Sequence, residues 1–158
     1  DLKTNRCNLQ QARHPLLGRK AVPISIVLEE GVRAVVISGP NAGGKTVTIK
    51  TVGLFALLNQ YCGFIPAEEG SCLPLFDNLF TDIGDEQSIE EELSTFSGHM
   101  KQIGYILRNM SERSLVILDE LGSGTDPVEG SAIARSVLEF CLDKAKLTLV
   151  TSHHGVLK

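Results

Sequence analysis

The sequence has no apolar run long enough to cross a bilayer, no closely paired cysteines, no basic cluster and no internal repeat. Each absence narrows the field. A membrane-spanning helix needs about 20 predominantly apolar residues in succession, and nothing here approaches that, so no membrane role is expected. Asp1-Leu2-Lys3-Thr4-Asn5 lacks the charged-then-apolar pattern of a secretion signal. The chain does not open with Met, and Leu157-Lys158 follows a strand-like run directly, so it is expected to be a piece of a longer protein. The four cysteines (Cys7, Cys62, Cys72 and Cys141) make no C-x-x-C pair. That favours free thiols in a reducing compartment, cytoplasmic or an organelle matrix, over a disulfide or metal framework. The net charge is −4, with Lys and Arg dispersed. A domain that grips nucleic acid by itself shows a basic face, because phosphate neutralisation supplies most of the affinity. Any such contact is expected elsewhere in the parent protein.

What is present fits one globular core: 158 residues, 42% hydrophobic and 22% charged. Runs rich in β-branched residues predict strands at 24–28, 33–38, 114–119 and 146–151, with a weaker one at 78–83. Between them, residues 45–62 form a helical pattern that is apolar nearly all round and stops at Gly63, a suitable C-terminal cap. Residues 127–142 make a second helix, with Asp126 as cap, Pro127 in the first position and Glu129 placed for a capping box. The middle is ambiguous. Ile89, Leu93, Phe96, Met100, Ile103 and Leu107 keep a helical period, and both Ser88 and Ser94 could start the helix. Strands alternating with helices imply parallel pairing in a single α/β layered domain over residues 1–158.

Three stretches carry chemistry. The strand at 33–38 runs into Gly39-Pro40-Asn41-Ala42-Gly43-Gly44-Lys45-Thr46 and then into a helix, which is G-x-x-x-x-G-K-[ST] in a strand–loop–helix setting. Glycines let successive N–H groups face one anion, and the helix N-terminus adds partial positive charge. In that motif Lys45 reaches the β- and γ-phosphates of ATP, and the Thr46 hydroxyl binds Mg²⁺. Second, the apolar Leu115-Val116-Ile117-Leu118 ends in Asp119-Glu120, a costly place for charge without a task. In phosphate-loop proteins the Asp at this place serves the Mg²⁺ shell, and an adjacent Glu can activate water as general base. Third, Leu121-Gly122-Ser123-Gly124-Thr125-Asp126-Pro127 is either a polar turn before a capped helix or also a loop at a subunit contact. His153 and His154 end the last strand-like run, where a solvated strand end and a functional histidine are both open readings.

These residues resemble the MutS ATPases. Gly39-Pro40-Asn41 before Gly44-Lys45 looks like that family's phosphate loop, Ser94-Thr95-Phe96 with Met100 is similar to its S-T-F-x-x-x-M signature, and 118–125 resembles its Walker B segment and following loop. Ser152-His153 is similar to its T-H switch with Ser for Thr, and Gln11-Ala12-Arg13-His14-Pro15-Leu16 looks like its N-terminal A-R-H-P motif. Ile65-Pro66-Ala67, 82–89 and 155–158 look like the second MutS subfamily, the branch that does not read mismatches. His154 and Val156 depart from the subfamily's usual Tyr and Glu.

The resemblance implies a P-loop NTPase of ABC type, with a largely parallel sheet flanked by helices. It implies a homodimer with two composite sites for ATP and Mg²⁺, which drives a DNA- or ribosome-associated clamp in recombination control, DNA repair or ribosome rescue. Catalytic roles would fall to Glu120, Lys45 and His153, the last sensing the γ-phosphate. Nucleotide would be held by residues 39–46 and metal by Thr46 and Asp119, while Ser94 and Thr95 would serve the partner's site. That role favours a helix break at Ser94. DNA or ribosome contacts, and any nuclease, would lie in parts of the parent absent here. An ABC-transporter half would need L-S-G-G-Q where this chain has Leu93-Ser94-Thr95-Phe96, and an SMC-type ATPase would need a long coiled coil between its motifs. A nucleotide-dependent dimerisation module with little turnover stays open, although Glu120 argues for turnover.

Overall fold

The computed structural model describes residues 6–39, 44–84 and 95–153, with Thr95 described by its backbone alone. In chain order the elements are β1 (Cys7–Ala12), a 3-10 segment (Pro15–Lys20), β2 (Ile24–Leu28), β3 (Ala34–Ser38), α1 (Lys45–Cys62), β4 (Asn78–Asp82), α2 (Thr95–Asn109), β5 (Ser114–Leu118), α3 (Pro127–Lys144) and β6 (Leu147–Ser152). Four strands form one parallel sheet in the order β3-β6-β5-β4. This is a mixed α/β architecture, as the alternation of strand and helix patterns requires.

Every residue of β5 and β6 is buried, so both read as continuous apolar runs rather than alternating ones. Their side chains still divide by parity. Leu115, Ile117, Leu147 and Leu149 join Ile49, Val52 and Phe55 of α1 in one core. Val116, Leu118 and Val150 join Ile103 and Ile106 of α2 and Ala134, Val137 and Cys141 of α3 in a second. The sheet is therefore sandwiched between helices.

Local sequence explains the helix ends. Gly44 precedes α1 in the left-handed conformation (φ 73°), which glycine adopts without a Cβ penalty. Gly63 closes it with φ 65°, its N–H donating to Asn59 O at 3.2 Å. Halfway along α1, Gly53 presses onto the sheet, since a Cβ there would lie 2.8 Å from Ile117 Cδ1. Asp126 caps α3 by accepting from the Val128 N–H at 2.9 Å and the Glu129 N–H at 3.3 Å. The Glu129 carboxylate takes the Thr125 hydroxyl at 3.2 Å.

The parallel pairing expected throughout fails at one strand. β2 pairs antiparallel with β1, a strand the sequence pattern does not announce, in a separate two-stranded sheet. The link 29–33 to β3 leaves no room for the crossover helix that a parallel β2–β3 pair would need, so β2 stays out of the parallel sheet. β1 is hidden because its alternation breaks at a bulge between Leu9 and Ala12, where Gln11 takes φ 48°. No described helix is long and apolar enough to cross a membrane, and all four thiols are free.

Candidate functional site

Parallel strands deliver their carboxyl ends to one edge, and in open α/β sheets that edge is where ligands bind. Here the register aligns Ser38 with Ser152, Leu118 with Val150, and Asp82 with Leu118. Gly39, Asp119, Glu120 and His153 lie just beyond these ends, and α1 starts beside them. Parallel pairing thus gathers residues far apart in sequence.

Thr46, in the first turn of α1, donates its hydroxyl to Asp119 Oδ2 at 2.8 Å across 73 positions of chain. Asp119 is 7% exposed, and its other oxygen, Oδ1, accepts the Thr151 hydroxyl. Lys45 is 6% exposed with its ammonium on Gly39 O at 2.5 Å. A cation and a carboxylate buried this deeply at a strand edge are costly unless a counter-charge or ligand compensates them. Glu120 stands next in a left-handed backbone conformation (φ 50°), unusual for a residue with a side chain. Its N–H donates to Thr151 Oγ1 at 2.8 Å, and its Oε1 lies 2.9 Å from His153 Nε2. Glu120 and His153 both keep solvent access, with side chains 24% and 37% exposed.

Thr46 and Asp119 suit a hard divalent cation. Cis ligands of an octahedral ion bonded at about 2.0–2.1 Å stand about 2.9 Å apart, close to the 2.8 Å between these two oxygens. Backbone N–H groups at the start of α1 and the Lys45 ammonium suit an anion. Together they can receive an anion–metal complex, and the adjoining Glu120 carboxylate is a group that can accept a proton.

Of the sequence-assigned residues, Gly39, Gly44, Lys45, Thr46, Asp119, Glu120 and His153 converge at this edge. Pro40, Asn41, Ala42, Gly43, Ser94 and His154 lie outside the described residues, as does the side chain of Thr95. The described part of α2 begins at Thr95. Its first turn lies beside the 122–125 loop, where a Cβ on Gly124 would stand 3.5 Å from Phe96 Cβ. That loop is seated on α3 by backbone contact: a Cβ on Gly122 would collide with the Gly130 carbonyl, and one on Gly130 with the Gly122 carbonyl.

Sequence reasoning missed Asp82, His99 and Thr151. Asp82 ends β4, and its carboxylate lies 2.8 Å from His99 Nδ1 on α2. The Asp82 carbonyl accepts the Asp119 N–H at 2.9 Å, which ties β4 to the acidic pair. Gln102 adds a bond to Thr81 O at 3.2 Å. Asking of every parallel strand what polar residue ends it would have found Asp82 and Thr151, but no spacing rule marks His99.

Residues 35–158 match the family described as MutS domain V. Among curated relatives, the chain is 55% identical over 152 residues to a protein named Endonuclease MutS2 from Finegoldia magna, covering 96% of this chain and 19% of that one. The relative of that name from Thermomicrobium roseum is 55% identical over 154 residues, covering 97% of this chain and 19% of it. That from Caldicellulosiruptor bescii is 53% identical over 152 residues, 96% and 19%. The chain thus spans about a fifth of the length of these relatives. With the family matched over most of the chain and this identity nearly end to end, the chain belongs to the MutS family, as a domain V of its MutS2 branch.

Proposed function

We propose that this chain is a single P-loop ATPase domain of ABC type, the ATP-binding and ATP-hydrolysing part of a longer MutS-type clamp protein. The observation that carries the reading is the hydrogen bond from Thr46 to Asp119. It joins the two motifs that a Mg·ATP site must combine, although the chain separates them by 73 positions.

Residues 39–46 would cradle the phosphates through backbone N–H groups, and Lys45 would place its charge at the β- and γ-phosphates. Thr46 and Asp119 would hold a Mg²⁺ ion, which would supply positive charge against the phosphates. Glu120 accepts the proton of the attacking water. His153, with Nε2 2.9 Å from one Glu120 oxygen, leaves the other oxygen for water and senses the γ-phosphate. Ser94 and Thr95 serve the partner's site in a homodimer. DNA or a ribosome is held by parts of the longer protein outside this chain, and so is the endonuclease chemistry that the relatives' name records.

Two substitutions separate binding from turnover. Lys45→Ala should weaken binding of a fluorescent ATP analogue at least tenfold. Glu120→Gln should leave that affinity within about threefold and lower phosphate release by roughly 10²–10⁴-fold, the size of a general-base contribution. Undiminished binding by Lys45→Ala would sink the site. Unchanged hydrolysis by Glu120→Gln would remove Glu120 as the base. No hydrolysis by the unsubstituted protein at high concentration would leave a nucleotide-dependent dimerisation module.

A further inference from the structure

We propose that Thr151 is a positioning residue for hydrolysis, whose hydroxyl fixes the metal-binding carboxylate and the general base relative to each other. The inference rests on the ATPase reading above but assigns a task to a residue which that reading leaves unused.

The β5–β6 ladder runs from Leu115–Leu147 to Leu118–Val150 and stops there. Beyond it, Asp119 and Glu120 leave the strand, and Glu120 adopts φ 50°. A residue with a Cβ in that region is strained and persists only where its surroundings hold it. Thr151 holds it. Its side chain is fully buried at the end of β6. The hydroxyl accepts from the Glu120 N–H at 2.8 Å and donates to Asp119 Oδ1. The Thr151 carbonyl accepts the Leu121 N–H at 3.1 Å. Three consecutive residues are thus stitched to one threonine.

The direction of each bond matters. A hydroxyl has one proton to donate, and here it goes to Asp119, which leaves the oxygen to receive the Glu120 N–H. Binding Oδ1 in this way turns Oδ2 toward Thr46, where the 2.8 Å bond is found. The same oxygen atom therefore sets the carboxylate plane of the metal ligand and the backbone from which the base projects. Serine supplies the same donor and acceptor, whereas valine keeps the branched shape and supplies neither. Thr151→Val would leave a buried carboxylate oxygen of Asp119 and the Glu120 N–H without their partner.

The test compares Thr151→Val, Thr151→Ser and the unsubstituted protein at concentrations high enough to saturate dimer formation. Thr151→Val should lower kcat by about 10- to 100-fold, the usual cost of losing a group that orients a ligand, with the KM for Mg·ATP within about threefold. Thr151→Ser should restore kcat to within about threefold. A Thr151→Val protein that turns over normally overturns the inference and leaves the ATPase reading standing. So does a Thr151→Ser protein as impaired as Thr151→Val, because the methyl group would then matter and not the hydroxyl. Should Thr151→Val fail to unfold cooperatively, Thr151→Ala against Thr151→Ser makes the same comparison. An unsubstituted protein with no Mg·ATP turnover overturns both.

Discussion

Single side chains in this fold are asked to do opposite things, and burial decides which. Cys7 and Cys141 are buried thiols, each pushed from the ordinary 9.0 to about 11 mainly by loss of solvent, with Cys72 nearby adding to the shift of Cys7. Thr148 beside Cys141 works the other way without cancelling the burial effect. Both groups stay protonated in the fold at a pH where the unfolded chain has released its protons. Their contribution to stability is therefore full below pH 9.0 and is lost as pH rises through about 11. Replacing both by alanine should make the fall of the urea midpoint across that window shallower than in the unsubstituted protein. An identical pH slope would show that other groups dominate the alkaline loss. By contrast, Lys45 and Asp119 are charged and buried at the sheet edge. Burial of such groups is costly without a ligand or counter-charge, whereas burial of the thiols keeps them inert.

At the scale of elements, the junction of β4 with α2 couples the acidic pair to the helix that follows Ser94. Asp82, with its side chain 11% exposed, pairs with His99. Phe80 and Tyr105 meet edge-to-face with ring centres 6.3 Å apart. His99→Ala should cost about 1–3 kcal/mol, the penalty for leaving a buried acceptor without its partner, a loss read from the urea midpoint. Asp82→Ala in the same chain should add less than it costs alone, since the pair is already broken. Strict additivity would mean that the two residues do not hold α2. Most elements were legible in advance because their own residues determine them. The buried runs of β5 and β6, the glycine bounding α1 at Gly63 and the Asp126-Pro127 start of α3 are each local signals. β1 was not legible, because Asn8, Gln10 and Gln11 are weak strand formers and a bulge breaks the alternation. Site residues followed the same division. Lys45, Thr46, Asp119 and Glu120 sit in motifs whose spacing carries meaning, while Thr151 and His99 acquire theirs only when β6 packs beside the acidic pair and α2 beside Asp82.

At the scale of the whole molecule, one copy of the chain brings Lys45, Thr46, Asp119, Glu120 and His153 to a single edge. It should therefore bind Mg·ATP alone. If Ser94 serves the partner's site, turnover needs two copies, and hydrolysis per molecule should rise with protein concentration as mass action requires. Mixing two inactive variants makes the sharper test. In a dimer of Lys45→Ala with Ser94→Arg, one site combines the intact Lys45 of one copy with the intact Ser94 of the other. The second site carries both defects. Equal amounts pairing at random make about half of the dimers mixed, each with one sound site. Activity should return to at most about a quarter of that of the unsubstituted protein, and should fall on dilution. Each variant alone should stay inactive at every concentration. Turnover that is independent of concentration, with no recovery on mixing, would place the action of Ser94 within its own chain or remove it altogether. That outcome would leave the Thr46–Asp119 pairing intact, because that bond is made inside one copy.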